Sequence, residues 1–443
     1  MDTVRHGRRL SMRGAARTRP QGWGARIIAT LLRNWMHALF HIEVRGLEHF
    51  SSSPSTLVVA NHLRDTDGPI IGTTLLDHMD AHRAGIAPYF VAREDLFRRG
   101  FLRDYLTSWP EPVRELLAGL DLRPFLDVIH LYPMRRVRER TLGEVLEDIL
   151  VVFGDLPLDE VLRPTWTDRF LQISPLEVAH LRVTDALQRG YRSLLRERYG
   201  LTKLTRARLR ALMPYERATI DGQLHRFVEL LEHGAVVQLE PEGTTSVDGS
   251  LGRMRGGLHV LLNRPRVPVR VLPVGITYDF MTTGRQWAFI NVGREIPDLQ
   301  GLSKRETTTR VTAAMLACST LTASQLASRW LLGLRSRGGG YVTRGELEEQ
   351  VRVETEHWSA RGVNVDPRLL EARARRQRVS EYLDYCRRSA ALLPCGGGRY
   401  LIHSDGEMPP PSWTDPDSAF KYVHNELMSL RPLWPEVAGR GEL

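Results

Sequence analysis

The stretch Thr56-Leu57-Val58-Val59-Ala60-Asn61-His62-Leu63-Arg64-Asp65-Thr66-Asp67 sets the reading of the whole chain. Its first five residues have the length and β-branched content of a buried strand. A strand that ends in Asn-His and then turns polar presents its last side chains at the edge of a sheet, where sites form. His62 and Asp67 are five apart, so a regular helix would not stack them as i,i+4 neighbours. At a strand-to-helix turn, an imidazole and a carboxylate at this spacing can meet. The carboxylate would fix one tautomer and stabilise the imidazolium, leaving the other ring nitrogen as a general base. A plain turn with a surface histidine fits the same spacing, and these residues alone leave both readings open.

At 443 residues the chain has room for two or three domains. A hydrophobic content of 42% with 26% charged residues describes a folded, water-facing protein, neither disordered nor membrane-spanning. The formal charge is +9 and the pI about 9.7. Lys203, Lys304 and Lys421 are the only lysines, so arginine carries nearly all the positive charge and suits bidentate phosphate contacts. Cys318, Cys386 and Cys395 make neither zinc spacing nor a disulfide framework, which predicts a reducing compartment and no metal site. No uninterrupted apolar run of about 18 residues appears, so no transmembrane helix is predicted. The uncharged stretch from Val311 to Ser328 is rich in Thr and Ser and reads as one helix in water. The first residues are basic, but the apolar segment after them is interrupted by Arg33, Asn34 and His37 and no small-residue cleavage site follows. A secretory signal is therefore not expected.

Outward from the opening stretch, residues 1 to 21 read as a basic arm. Ile27, Ile28, Leu31, Leu32, Trp35, Leu39 and Phe40 form a helical stripe from Trp23 to Phe40. Tryptophans with flanking arginines suit a helix lying in a membrane interface through Trp23, Leu31 and Trp35; packing on the domain explains the same stripe. Strands are expected at Ile42 to Gly46, Tyr89 to Ala92, within residues 128 to 136, Ala235 to Leu239, Val269 to Thr277 and Trp287 to Val292. Pro273 assigns the fifth of these to a sheet edge or a bulge. Residues 154 to 220 read as a helical insertion without a site-like cluster. Helix resumes at Gln223, with Gly234 placed as its C-terminal cap. Thr343 and Glu346 form a capping box opening another helix. The expected organisation is α/β, a mixed β-sheet flanked by helices. It comprises an arm with an amphipathic helix over 1–45, a main domain over 46–302 and a mostly helical domain over 303–443.

Three blocks resemble the glycerolipid acyltransferase family. The sequence from Phe40 to Pro69, with "VRGLEHF…STLVVANHLRDTDGP", and "YFVAREDLF" at 89 to 97 look like its first motif and following segment. "LEPEGTTSVDGSLGRMRGG" at 239 to 257 is similar to its Pro-Glu-Gly-Thr motif, and "VPVRVLPVGITYD" at 267 to 279 resembles its last motif. With the order preserved, the resemblance spans residues 23 to 295 apart from the insertion. It implies the glycerolipid acyltransferase fold and an O-acyltransferase of phospholipid biosynthesis. His62 would be the general base for an acceptor hydroxyl, and Asp67 would orient it. Glu242, Gly243 and Thr244 would fall on the motif that holds the acceptor's phosphate, with Arg136 or its neighbour Arg135 pairing with that phosphate. The co-substrate would be acyl-CoA or an acyl carrier protein, with no other cofactor. The acceptor would be a lysophospholipid or glycerol phosphate, 1-acylglycerol-3-phosphate being the expected one. The enzyme would sit in the cytoplasm, peripheral at the inner face of the membrane.

Two departures bear on the acceptor: Thr245 stands where the family usually has arginine, and the second motif lacks its opening glycine. The C-terminal blocks "VTRGELEEQV", "GGGRYLIH" and "FKYVHNELMSL" are similar to the tail of glycerol-3-phosphate acyltransferases, which makes that activity the nearest alternative. A reading from another class places a winged-helix DNA-binding module at 320 to 403. The helix Gly345 to Thr355, expected before the Gly-rich wing, is strongly acidic, so no nucleic-acid partner is expected.

Overall fold

The computed structural model describes residues 23–50, 53–81, 88–98, 100–106, 109–173, 181–404 and 419–434. The basic arm expected over 1–21 lies outside them. Seven strands form the main sheet: β1 (Phe40–Arg45), β2 (Thr56–Ala60), β3 (Pro88–Arg93), β4 (Leu131–Met134), β5 (Val236–Leu239), β6 (Arg270–Asp279) and β7 (Gln286–Val292). Their order is β1-β7-β6-β2-β5-β3-β4. β6 and β7 run antiparallel, while β1–β7, β6–β2, β2–β5 and β5–β3 are parallel. The strand predicted from Thr56 to Ala60 is thus near the centre of a mixed sheet. It is buried at every position, as an unbroken apolar run in parallel surroundings requires.

Pro273 lies inside this sheet, not at its edge. β6 pairs with both β2 and β7, and Pro273 stands opposite Val59. The missing N–H is tolerated because the β6–β7 ladder begins one residue later, at Val274 opposite Val292. The Pro273 carbonyl still accepts from Gly293 N–H at 2.8 Å.

The chain divides into two compact units. One comprises, among the described residues, those within 18–91, 124–131 and 228–443, so it holds most of the sheet together with the described part of the C-terminal region. Its hydrophobic core passes position 302 without a break, joining Val274, Ile276 and Tyr278 of β6 to Leu316, Leu321 and Ala327. The contacts there are close: a Cβ at Gly275 would come within 2.5 Å of the Cys318 backbone. Thr277 Oγ1 accepts from Thr320 N–H at 3.1 Å, and Asn291 Nδ2 donates to the Cys318 carbonyl at 2.7 Å. These contacts end one helix at Ala317 and start another at Ala323, where the sequence reads as one continuous helix.

The C-terminal region also carries a second sheet, β8 (Tyr341–Thr343), β9 (Leu392–Pro394) and β10 (Arg399–Ile402), antiparallel in the order β8-β10-β9. The capping box at Thr343 and Glu346 forms as expected. The helix preceding the Gly-rich hairpin is Ala372–Arg388, not the acidic helix that starts at Arg344. Its inner face is tied to β6 by a buried Arg378–Asp279 ion pair, and Arg373, Arg376, Arg387 and Arg388 are exposed.

The other unit, residues 92–123 and 132–227 among those described, has its own core around Leu142, Leu146, Ile149, Leu162, Phe170 and Leu204. The helical region therefore begins well before position 154 and extends to a helix spanning Arg206–Glu232. Inside it lies a buried ion cluster. Arg135 donates through Nε to Glu94 at 2.7 Å and through Nη1 to Asp148 at 2.8 Å; its Nη1 lies 3.4 Å from Glu216, to which Arg140 also bonds. Burial works against the Arg135 charge, but the bond to Glu94 and the fields of Asp148 and Glu216 outweigh it, so its pKa is raised. Removing one partner of a buried pair leaves the others uncompensated, at about 3–5 kcal/mol. Glu216→Ala is therefore expected to lower unfolding free energy by about 3 kcal/mol in urea titration. A loss below about 1 kcal/mol would mean that the cluster does not hold this unit together.

Candidate active site

Four side chains from distant parts of the sequence build the site at the carboxyl end of β2. Asn61 comes first. Its Nδ2 donates to the Ile276 carbonyl at 2.9 Å and its Oδ1 accepts from Ile276 N–H at 2.8 Å, extending the β2–β6 ladder by one amide. The chain then turns, and the helix Asp67–Ala81 begins. Asp67 is fully buried at 0% exposure. Its Oδ2 accepts from the backbone N–H of Leu63 at 2.6 Å, from that of Arg64 at 2.7 Å, and from His62 Nδ1 at 3.2 Å. Its Oδ1 accepts from the Tyr278 hydroxyl at 2.6 Å. A proton on Nδ1 facing this carboxylate places the lone pair of neutral imidazole on Nε2, as a general base needs. The expected meeting of His62 and Asp67 across the turn is what the structure contains.

Glu242 is the third side chain. It follows β5, and its Oε1 accepts from the His62 backbone N–H at 2.8 Å while its Oε2 accepts from Gly252 N–H. The expected role of Glu242 was toward a ligand phosphate. In the structure its carboxyl group braces the His62 backbone. Gly243, with φ of +70°, makes the turn, and Thr244 and Thr245 are half-buried beside it. Arg255 reaches back, its Nε donating to the Glu242 carbonyl at 3.0 Å.

Tyr278 is the fourth, and sequence reasoning missed it. It occupies the face of β6 that carries Val274 and Ile276, so its hydroxyl needs a buried partner. That single polar tip on an apolar face was the available signal. Burial, and then the charge of Asp67, pushes its pKa well above the ordinary 10, so it stays a donor. Arg64 lies over the Tyr278 ring at 4.5 Å and donates to Gln286 Oε1 at 2.6 Å.

Arg135 and Arg136 belong to the helical unit. There Arg135 is engaged by carboxylates, and Arg136 Nη1 lies 3.4 Å from Glu139. The helix Trp23–Leu39 buries Ala25 and Met36, while Trp23, Ile27, Leu31 and Trp35, each four residues from the last, are exposed at 81, 50, 64 and 58%. No helix among the described residues is long and apolar enough to cross a membrane.

No model of a known protein family matches the chain, and no curated protein matches it. Among solved structures it is similar to the crystal structure of the 1-acyl-sn-glycerophosphate (LPA) acyltransferase PlsC from Thermotoga maritima. The identity is 15% over 65% of this chain and 75% of that one, with a TM-score of 0.28.

Burial raises the Glu242 pKa from 4.5 to about 7, against the two backbone N–H groups that favour its charge. Below the unfolded value the proton is bound in both states and nothing is lost. As pH rises from 4.5 to 7 the folded state must surrender a proton it holds more tightly, so stability falls, by about 3 kcal/mol in all. Glu426, raised by burial to about 8, acts in the same direction. Comparing wild type with Glu242→Gln isolates the first group. The wild-type advantage in unfolding free energy should shrink by about 3 kcal/mol between pH 4.5 and 8. A difference flat with pH would show that Glu242 is ionised throughout.

Proposed function

We propose that this protein transfers an acyl chain from an acyl thioester, acyl-CoA or an acyl carrier protein, to a hydroxyl of a glycerophosphate-type acceptor, with 1-acylglycerol-3-phosphate as the expected one. The observation that carries the reading is the His62–Asp67 pair, held by buried donors at the end of a central parallel strand. In the reaction, His62 Nε2 takes the acceptor hydroxyl proton as the oxygen attacks the thioester carbonyl. The carbon–sulfur bond then breaks, and the leaving thiolate takes the proton from the imidazolium. Asp67 stabilises that imidazolium in between. The acceptor phosphate is assigned to the turn from Gly243 to Thr245, with Arg255 supplying the cation where Thr245 replaces the family's arginine. By the family resemblance Arg136 or Arg135 would take part in phosphate binding; the Arg135 guanidinium is bonded to Glu94 and Asp148, and Arg136 lies 3.4 Å from Glu139. Glycerol-3-phosphate is the alternative acceptor, through the likeness of the C-terminal blocks.

Loss of a general base costs roughly 10² to 10⁴ in rate. His62→Ala should therefore lower turnover by about 10² or more with the fold intact, and Asp67→Asn by less. Arg136→Ala should raise acceptor KM while leaving donor KM unchanged. Acyl transfer from radiolabelled acyl-CoA to a panel of acceptors measures all three, and near-normal turnover in His62→Ala would sink the mechanism.

The exposed ladder of Trp23, Ile27, Leu31 and Trp35 is assigned to the lipid surface in which the acceptor resides. Full burial of such side chains is worth about 1.5–3 kcal/mol each, so partial insertion of four suffices for useful binding. Vesicle co-sedimentation should weaken when Leu31 and Trp35 are both made polar, and unchanged binding would reduce the helix to a packing element.

A second reading, nucleic-acid binding by the C-terminal hairpin and helix, is favoured by the four exposed arginines of Ala372–Arg388. Salt-dependent binding of duplex DNA that is lost in Arg373→Glu/Arg376→Glu would establish it.

A further inference from the structure

The helix Ala419–Met428 is separated from His62 by more than 350 positions; it carries the block "FKYVHNELMSL", and the mechanism above gives it no role. It nevertheless lies directly on the loop that follows Glu242. A Cβ at Gly249, whose φ is +89°, would collide with the Tyr422 carbonyl, so only glycine allows the approach. Asn425 Nδ2 donates to the Asp248 carbonyl at 2.9 Å. Ser429 Oγ, just beyond the helix, accepts from Leu251 N–H at 2.9 Å and donates to the Asn425 carbonyl at 3.0 Å.

The opposite side of this loop touches the base. Ser246 N–H donates to the His62 carbonyl at 2.9 Å, Ser246 Oγ donates to the Ser250 carbonyl at 2.8 Å, and Gly252 N–H bonds Glu242, whose other oxygen holds His62 N–H. The helix also reaches the motif without the loop, since the Tyr422 hydroxyl donates to the Leu63 carbonyl at 3.4 Å. Its own position is fixed from behind. Phe420, Val423 and Leu427 are in the core, and Glu426 Oε2 accepts from Gln325 Nε2 at 3.0 Å.

We propose that the helix Ala419–Met428 and Ser429 form a positioning element of the active site. Tyr422, Asn425 and Ser429 are positioning residues that set loop 246–252 and, through Glu242 and Ser246, the backbone on both sides of His62. The C-terminal region is thereby part of the machinery that aims the imidazole, not an appended domain. Displacements of about 1 Å remote from the chemistry cost up to about 10² in rate. The activity arm of this inference rests on the acyl-transfer reading; the structural arm does not.

The test uses the full chain carrying Asn425→Ala with Ser429→Ala, followed by kcat, donor KM and the ¹⁵N-histidine NMR titration of His62, assigned by its loss in His62→Ala. Expected are a fall in kcat of about tenfold or more with donor KM within about twofold, and a shifted His62 resonance and titration midpoint. Ser429→Thr alone, which keeps the hydroxyl, should retain wild-type behaviour, and Arg431→Ala, exposed just after the helix, should change nothing. Tyr422→Phe removes only the hydroxyl on Leu63 and provides the same readout should the double variant fail to fold. A folded variant with unaltered kcat and an unaltered His62 titration overturns the proposal. A shifted His62 resonance in a protein whose wild type acylates no acceptor sustains the positioning role and discards the acyl-transfer reading.

Discussion

A carboxylate with no exposure has to be satisfied inside the protein, and Asp67 is satisfied by donors that no local segment supplies together. Two are the backbone N–H groups of Leu63 and Arg64, available only if the chain folds back tightly after β2. A third is the Tyr278 hydroxyl, available only if β6 lies beside β2 in the register that sets Ala60 opposite Val274. The Asn61 amide locks that register two residues further on, at Ile276. With those donors in place, the remaining geometry of Asp67 is free to orient His62. The sheet order β7-β6-β2-β5 is thus what the dyad requires, with Tyr278 delivered from one neighbour of β2 and Glu242 from the other.

Local parts of this arrangement were legible in the sequence, and the parts that depend on non-local pairing were not. β2 could be read because an unbroken apolar run followed by Asn-His has few other interpretations. The dyad could be read as a spacing, and the motif resemblance then weighted it. A carboxylate beside Gly and Thr reads as ligand-facing in the sequence, and nothing local there reveals the bond that Glu242 accepts from the distant His62 N–H. Pro273 suggested a sheet edge or a bulge because the rule concerns a lost ladder bond, and the structure excludes only the edge, with the regular β6–β7 ladder starting one residue later. The run from Val311 to Ser328 reads as one helix because nothing in its composition marks the clamp by Asn291 and Thr277 that interrupts it.

The helical unit shows the same division. Its leucines and arginines were visible as composition, but Glu94, Asp148 and Glu216 became partners of Arg135 and Arg140 only in three dimensions. An arginine pair after a strand suits a phosphate, and the same pair suits a buried ion cluster; burial separates the cases. Arg135 has an 8% exposed side chain against 22% for Arg136, so the first belongs to the unit's interior and the second keeps access to solvent.

The N-terminal helix connects these constraints to the surface. Its outward ladder takes no part in holding the fold, because packing uses Ala25 and Met36 on the other side. That inner side is tied to the helix starting at Asp67, with Arg33 Nη1 at 3.1 Å from Asp77. Ten residues of helix separate Asp77 from Asp67, or about 15 Å. At its C-terminal end Phe40 packs on the Tyr278 ring, centroids 5.5 Å apart, and Tyr278 is the hydroxyl partner of Asp67. The helix and the first residue of β1 after it therefore touch the dyad's supports at two points, the body of the Asp67 helix and the Tyr278 ring. Both contacts are made by packed or paired side chains, so the outward face of Trp23, Ile27, Leu31 and Trp35 is carried on an element that adjoins the dyad's supports.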